Sequence, residues 1–314
     1  NLTGAVATVD VNKTLDSRPI ADIGRGLQGA VAGVNITIPT GEVGSDPLIK
    51  IRGQVGSISG NNTPLILLDN VEIPSIQMVN PNDVQSISVL KDAASSSIYG
   101  SKAAFGVILI TTKSGAQSDK FEISYSNNFS WQDPAKKIEI GGIEALQYTL
   151  DAQTNRREPM PAGGFWRISP ESLEKAIEWQ NLYGGKVKWN DPVVYGRDWF
   201  YDGKDKYGYR LYDGAKAMIK NWTPTMTHNL SVNGKSGKTS YNIGLGYLDQ
   251  SGMSKTAKKD DFKRYNASVS VTSEINKYIT VRASSIYSDR NKRYPGIGNT
   301  TADPWLYLYR WSPL

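Results

Sequence analysis

The chain has 314 residues, 39% hydrophobic and 21% charged, with 30 Gly, 17 Tyr, 8 Trp and 6 Phe. This composition suits a folded, turn-rich protein of one large or two ordinary domains and excludes wholesale disorder. The absence of cysteine excludes a disulfide scaffold, a thiolate zinc site and a cysteine nucleophile, and the single histidine, His228, excludes a His-rich metal site. The net charge of +6 is uneven: residues 1–115 carry 8 Lys+Arg against 9 Asp+Glu, the remainder 28 against 21. The basic excess therefore belongs to the second part, where it faces anionic lipid head groups, a ligand or solvent; no Lys/Arg cluster is dense enough to suggest nucleic acid.

In chain order, residues 1–115 read as a compact α+β unit. Pro19 opens a short helical stretch, Ile20 to Val31. Strand-like apolar runs follow at Val34 to Ile38, Leu48 to Arg52, Leu65 to Leu68, Ile87 to Leu90 and Gly106 to Thr112. Lys91 to Tyr99 is a small-residue helix ended by Gly100. Asn80-Pro81-Asn82 and Ser59-Gly60-Asn61-Asn62 are turn signals between these elements.

After Gly115 the pattern becomes long alternation. Phe121, Ile123, Tyr125, Phe129 and Trp131 share one face of a strand whose other face holds Glu122, Ser124, Ser126, Asn128 and Ser130. A hairpin follows, with Met226 to Val232 and Ser240 to Tyr247 joined through Gly234 to Gly237. The same alternation recurs at Arg264 to Thr272 and Tyr278 to Ser288, about a turn at Asn276-Lys277. Strands of about ten residues, joined alternately by tight turns and longer loops, predict a transmembrane β-barrel with one lipid-facing and one watery side. A soluble sandwich shares the alternation but buries the apolar rows on a second sheet. No run approaches the roughly 18 apolar residues of a membrane helix. The interval from about 133 to 223 differs: Ser169-Pro170-Glu171-Ser172 predicts a capped helix to Tyr183, ahead of a Trp-, Tyr- and Asp-rich loop that projects to the cell exterior.

Catalytic motifs fail one by one. Gly24-Arg25-Gly26-Leu27-Gln28-Gly29 matches the dinucleotide fingerprint in form, but a polar, proline-broken segment precedes it instead of a buried strand. Gly234 to Thr239 lacks the first glycine of a phosphate loop, because Val232 stands there. Gly56 to Gly60 has Ile58 where a nucleophile elbow needs serine. The chain is read as not an enzyme, without cofactor or metal. A secreted or surface ligand-binding β-protein and, more remotely, a dinucleotide-binding enzyme stand as alternatives.

A series of segments carries a family resemblance: Leu27 to Val34, Ile49 to Gly53, Pro64 to Val71, Asn80 to Ala94 and Ser97 to Lys113, with Asp261 to Ala267 later in the chain. Their order, wording and spacing resemble the plug and an early wall strand of SusC/RagA-type TonB-linked outer-membrane proteins. The resemblance implies an α+β plug (1–115) followed by the opening strands of an antiparallel barrel (116–314) that in the family has about 22 strands. It also implies import of a glycan or peptide, with a SusD/RagB-like lipoprotein as partner and the TonB-ExbB-ExbD complex as energy source. About five wall strands are too few to close a barrel without leaving bare strand edges in hydrocarbon, so the expectation is a piece of a longer protein, without its signal peptide, regulatory-like domain or TonB box. Candidate substrate-binding residues are Ser57, Asn61 and Asn62 on a polar loop, and Trp166, Trp189, Tyr195, Trp199 and Tyr201 in the long insertion, where exposed rings stack on sugars or contact peptide, unless they pack on one another. Arg52, Gly53, Asp69, Tyr99 and Gly100 are expected to hold the plug together, Arg52 by pairing with carboxylates of the wall.

Overall fold

The computed structural model describes residues 6–10, 23–38, 42–52, 63–115, 121–134, 139, 141–156, 168–188 and 190–294. They fall into two compact units. Of these, one draws on residues within 6–132, 222–252 and 259–294, the other on residues within 133–221 and 253–258.

Among the described residues the first unit holds two five-stranded sheets and one two-stranded hairpin. Strands β1 (Val6–Asp10), β4 (Leu65–Leu68), β5 (Val71–Glu72), β6 (Val84–Leu90) and β7 (Val107–Thr112) form a mixed sheet in the order β1-β6-β7-β4-β5, with only β4 and β7 parallel. Helix α1 (Ile23–Leu27) and the hairpin of β2 (Val34–Thr37) and β3 (Leu48–Ile51) complete it. Ile23, Leu27, Ile36, Ile49, Ile51, Ile76, Val84, Ile87, Val89, Ile108 and Ile110 close one core. Each such side chain removed from water contributes roughly 1.5–3 kcal/mol, and β-branched residues suit strands, so this composition stabilises a small sheet without a large helical layer.

Local chemistry sets the junctions. Asp69 and Asn70 both take positive φ (46° and 68°) between Leu68 and Val71, which pair directly, so they form a two-residue primed turn. The Asp69 carboxylate then accepts from the Thr112 amide (2.9 Å) and hydroxyl (2.6 Å), extending the parallel ladder by one step. The small-residue helix is shorter than expected: α2 spans Ala93–Ser96, capped by Asp92, whose Oδ1 accepts from the Ser95 amide at 2.6 Å. A 3₁₀ stretch follows to Ala103, broken at Gly100 by a backbone (φ 70°, ψ −159°) open in practice only to glycine. The first two glycines of the fingerprint-like segment sit buried inside α1, and β2 pairs antiparallel with β3, so no parallel crossover builds a pyrophosphate cradle there.

The second five-stranded sheet of this unit is antiparallel throughout, and its strands follow one another in chain order across it. Its strands are β8 (Glu122–Gln132), β11 (Thr223–Ser236), β12 (Thr239–Ser251), β13 (Asp261–Asn276) and β14 (Ile279–Arg293). They are longer than the alternation suggested. The first tight turn is Gly237-Lys238, with Gly237 at φ 57°, so β11 runs through the glycine-rich segment read as the turn. At the other, Asn276 stays in β13 and its Oδ1 accepts the amides of Tyr278 and Ile279 (2.9 and 3.0 Å).

The second unit contains α3 (Ile143–Arg156), α4 (Pro170–Tyr183), the short ribbon β9 (Trp199–Tyr201) and β10 (Lys206–Gly208), and α5 (Gly214–Met218). Helix α4 begins as the sequence indicates: Ser169 Oγ accepts from the Ser172 amide at 3.1 Å and proline occupies the first turn. Leu146, Ile168, Leu173 and Ala176 form its core. Helix α3 carries no comparable signal in the sequence.

Candidate functional site

Register fixes which side chains of the long sheet share a face. Across β8, β11, β12, β13 and β14, Tyr125, Leu230, Leu245, Ala267 and Tyr287 form one row and Ile123, Val232, Ile243, Val269 and Ser285 the next. This face is bare: Ile123, Tyr125, Ile243, Leu245, Val269 and Tyr287 are all exposed. At one end of it His228 stacks between Tyr125 and Tyr247, with the Tyr125 hydroxyl 2.7 Å from His228 Nδ1, and Tyr247 packs on Tyr265 at 5.0 Å. At the other end Ile275, Tyr278 and Ile279 are exposed. Tyr265 and Ile275 lie ten positions apart on β13. At about 3.3 Å per residue and a tilt near 40°, that is roughly 25 Å along a barrel axis, the height of a lipid-facing band.

The opposite face is polar, and much of it is buried against the small mixed sheet's connections. Two 3₁₀ turns, Ile76–Met78 and Pro81–Asp83, are capped by Ser75 and Asn80. Their backbones leave the Gln77 and Met78 carbonyls without partners in the turn, and the wall supplies donors: Arg264 Nη1 to Gln77 O (2.9 Å) and Asn266 Nδ2 to Met78 O (2.7 Å). Asn80 accepts the Asn82 amide with Oδ1, which frees Nδ2 to donate to Asn229 Oδ1 at 3.0 Å. Ser268 Oγ donates to Asp83 Oδ2 at 2.8 Å. Burial raises the pKa of Asp83, and the Ser268 hydrogen bond and the charges of Lys113 and Arg264 offset part of that rise. Further along, Arg290 donates to Ser75 Oγ at 2.8 Å, Lys292 pairs with Glu42, and Val43 closes a small core with Leu248 and Phe262. Gly44 (φ 68°) lies so near Phe262 that a Cβ would stand 2.2 Å from its ring.

In the second unit one buried carboxylate organises the aromatic insertion. Asp198 accepts from Trp179 Nε1 (2.9 Å), the Val194 amide (2.8 Å), and Arg197 Nε and Nη2 (2.9 and 2.7 Å), with the buried Arg210 guanidinium 3.5 Å away. Arg210 in turn donates to the carbonyls of Asp191 (2.9 Å) and Lys188 (2.5 Å). Burial opposes the Asp198 charge, but the Arg197, Val194 and Trp179 hydrogen bonds and the Arg197 charge outweigh it and hold its pKa at about 2. Around this node Tyr195 meets Trp199 edge-on (5.1 Å) and stacks on Phe200 (5.9 Å), and Lys206 Nζ lies over the Trp199 ring at 5.6 Å. Tyr195, Phe200 and Tyr201 remain exposed beside Val193 and Val194.

A small mixed sheet seated on the polar face of long antiparallel strands, whose other face is a bare apolar band, is the arrangement of a plug against a barrel wall. The TonB-dependent receptor plug domain family matches residues 1–107. TonB-dependent receptor P26 of Formosa agariphila is 29% identical over 310 residues, covering 96% of this chain and 27% of that protein. TonB-dependent receptor SusC of Bacteroides thetaiotaomicron is 27% identical over 254 residues, covering 78% and 20%. The solved structure of the RagAB peptide transporter superposes with a TM-score of 0.67 at 28% identity, covering 93% of this chain and 31% of that one. Residues 1–107 belong to the TonB-dependent receptor plug family, and the chain along most of its length resembles the SusC/RagA-like receptors. It spans about a quarter of the length of these curated relatives. The siderophore receptor PirA from Pseudomonas aeruginosa, at 16% identity and a TM-score of 0.50, shares the fold.

Of the residues singled out in this SusC/RagA-like chain, Ser57, Asn61, Asn62, Gly53, Trp166 and Trp189 lie outside the described residues. Tyr195, Trp199 and Tyr201 come together on the ribbon, the first two in ring contact and Tyr201 donating to Gly203 O at 2.7 Å. Asp69 and Gly100 sit at turns, and Tyr99 packs on the cluster of Leu67, Leu90, Ala103 and Val107. Arg52 takes φ 55°, its amide donates to Gly33 O at 2.7 Å, and its charge helps lower the pKa of Asp92 within the plug, mainly set by the Ser95 hydrogen bonds. The plug-to-wall contacts of Asn80, Asp83, Arg264, Asn266 and Ser268 escaped the sequence reading. The signal available was a set of donors, Arg264, Asn266 and Ser268, at every second position of one strand, on the face assigned to a watery lumen.

Proposed function

We propose that this chain is the plug (1–115) and part of the wall (116–314) of an outer-membrane importer that takes up an oligomeric nutrient, glycan or peptide, driven through TonB, ExbB and ExbD and assisted by a SusD/RagB-like surface lipoprotein. The observation that carries the reading is the two-sided wall, polar against the plug and bare and apolar over roughly 25 Å on the other face, which matches a lipid-facing band. The likeness to TonB-dependent receptor SusC supports the TonB drive, and the likeness to the RagAB peptide transporter supports an oligomeric nutrient and a RagB-like partner. No covalent chemistry enters. The substrate docks at the outer side and a path opens beside the plug. The insertion at about 133–223 is read as outward-facing because a long connection, not a tight turn, links Gln132 of β8 to Thr223 of β11, with Tyr195, Trp199 and Tyr201, together with Trp166, Trp189, Ser57, Asn61 and Asn62, as substrate contacts.

The test is deletion of the gene in its own cell, with complementation and uptake assays on labelled peptide and oligosaccharide pools, in wild-type and TonB-deficient backgrounds. The expected result is uptake of one pool that requires both this protein and TonB, with the protein in the outer-membrane fraction; TonB-independent uptake sinks the reading. Replacing the exposed Tyr195 and Tyr201 together by alanine is expected to lower uptake at limiting substrate about tenfold without changing protein abundance.

A further inference from the structure

We propose that Glu42–Asp46 and Ser75–Asp83 form a fixed foot of the plug, which stays bonded to β11, β13 and β14 while a path opens elsewhere. This rests on the import reading. The two segments are clasped to each other, Ser75 Oγ donating to Asp46 and Gln77 Nε2 to Ser45 O (3.2 Å). They are clasped to the wall through Arg264, Asn266, Ser268, Asn229, Arg290 and Lys292.

Two physical features set this contact apart from an incidental one. The bonds answer groups that the local structure leaves open: the Gln77 and Met78 carbonyls at the end of a 3₁₀ turn and the amide nitrogen of a capping Asn80. Undocking without water would strand them, along with the Asp83 carboxylate. The backbones also approach so closely that side chains are excluded. A Cβ on Gly244 would stand 2.5 Å from Asp83 Oδ1 and from Ser268 Oγ, and one on Gly246 would stand 2.6 Å from Asn80 Nδ2. The wall strand β12 is thus notched where the foot stands. By contrast β1, at the edge of the plug sheet, pairs among the described residues with β6 alone.

These 314 residues hold no cysteine, so thiols placed in them are unique once any cysteine elsewhere in the full-length protein is replaced by serine. In the full-length protein in its own outer membrane, the pair Asn80→Cys and Asn229→Cys is joined by a short bifunctional thiol reagent, and uptake is measured with whichever pool, peptide or oligosaccharide, the unlinked protein imports. Uptake by the linked protein above about half that of the unlinked protein is expected; a fall below half overturns the fixed foot. A second measurement needs no linked pair. Ser268→Cys, beneath Asp83, is expected to react with a membrane-impermeant thiol reagent at the same rate, within about twofold, in energised and de-energised cells, and faster labelling on energising overturns the proposal. Should the unlinked protein import neither pool, the import reading fails, and the Ser268→Cys labelling still decides whether the foot stays docked.

Discussion

Asp198 and Asp83 are both buried carboxylates, yet their surroundings push them in opposite directions. Asp198 has its oxygens answered by two indole or amide donors and Arg197, so its charge is favoured in spite of burial. Its folded pKa of about 2 lies below the ordinary 3.8, so its contribution to stability is complete above 3.8 and is lost as pH falls toward 2. Asp198→Ala leaves the buried Arg210 guanidinium uncompensated, and the expected cost is about 3–5 kcal/mol, read as lost amide-exchange protection around the β9–β10 ribbon. Asp83 has the opposite sign. Its raised pKa means that the folded plug binds a proton more tightly than the unfolded chain, so this group's contribution falls as pH rises through the folded pKa. Asp83→Asn, which keeps an acceptor for Ser268, is expected to flatten that part of the pH-stability profile; a profile unchanged on thermal unfolding between acid and neutral pH contradicts the assignment.

At the scale of elements, the long strands have two faces that tolerate opposite changes. Val269 lies on the bare face at the middle of the apolar band, and Val269→Arg is expected to cost about 2–4 kcal/mol in lipid and to lower the amount of folded protein recovered in the outer membrane. Arg282 shows the contrast within the same sheet: it pairs with Thr272 on the polar face and already carries a charge there. Arg282→Lys is therefore expected to leave recovery unchanged. For α4, Ser169→Ala removes the cap on the Ser172 amide and is expected to cost about 1 kcal/mol, measured by circular dichroism melting.

For the whole molecule, the plug and wall are one packed unit because the polar rows of the wall are not a finished surface. They are donors and notches whose partners lie nearly two hundred residues earlier in the chain. A soluble sandwich would cover the rows of Tyr, Ile and Leu with a second sheet; here they stand bare, which favours a lipid neighbour. Detergent phase separation of the intact protein is the corresponding measurement, with partition into the detergent phase expected.

By itself the sequence determined the period and polarity of the strands, because side-chain alternation follows from pleat geometry alone. Strand β4 falls at Leu65–Leu68 as read, and Ser169-Pro170 starts its helix, since caps and short apolar runs act locally. The lengths of β11 and β13 were underestimated, because Gly234 and Asn276 carry turn chemistry that the paired neighbouring strand overrides. The candidate rings Tyr195 and Trp199 were legible by composition, but their grouping depends on Asp198, whose partners at Trp179 and Arg210 adjoin it only in three dimensions. Only the tertiary structure decided that Arg264, Asn266 and Ser268 meet the plug, because hydrogen bonds between elements far apart in the chain leave no periodic trace in it.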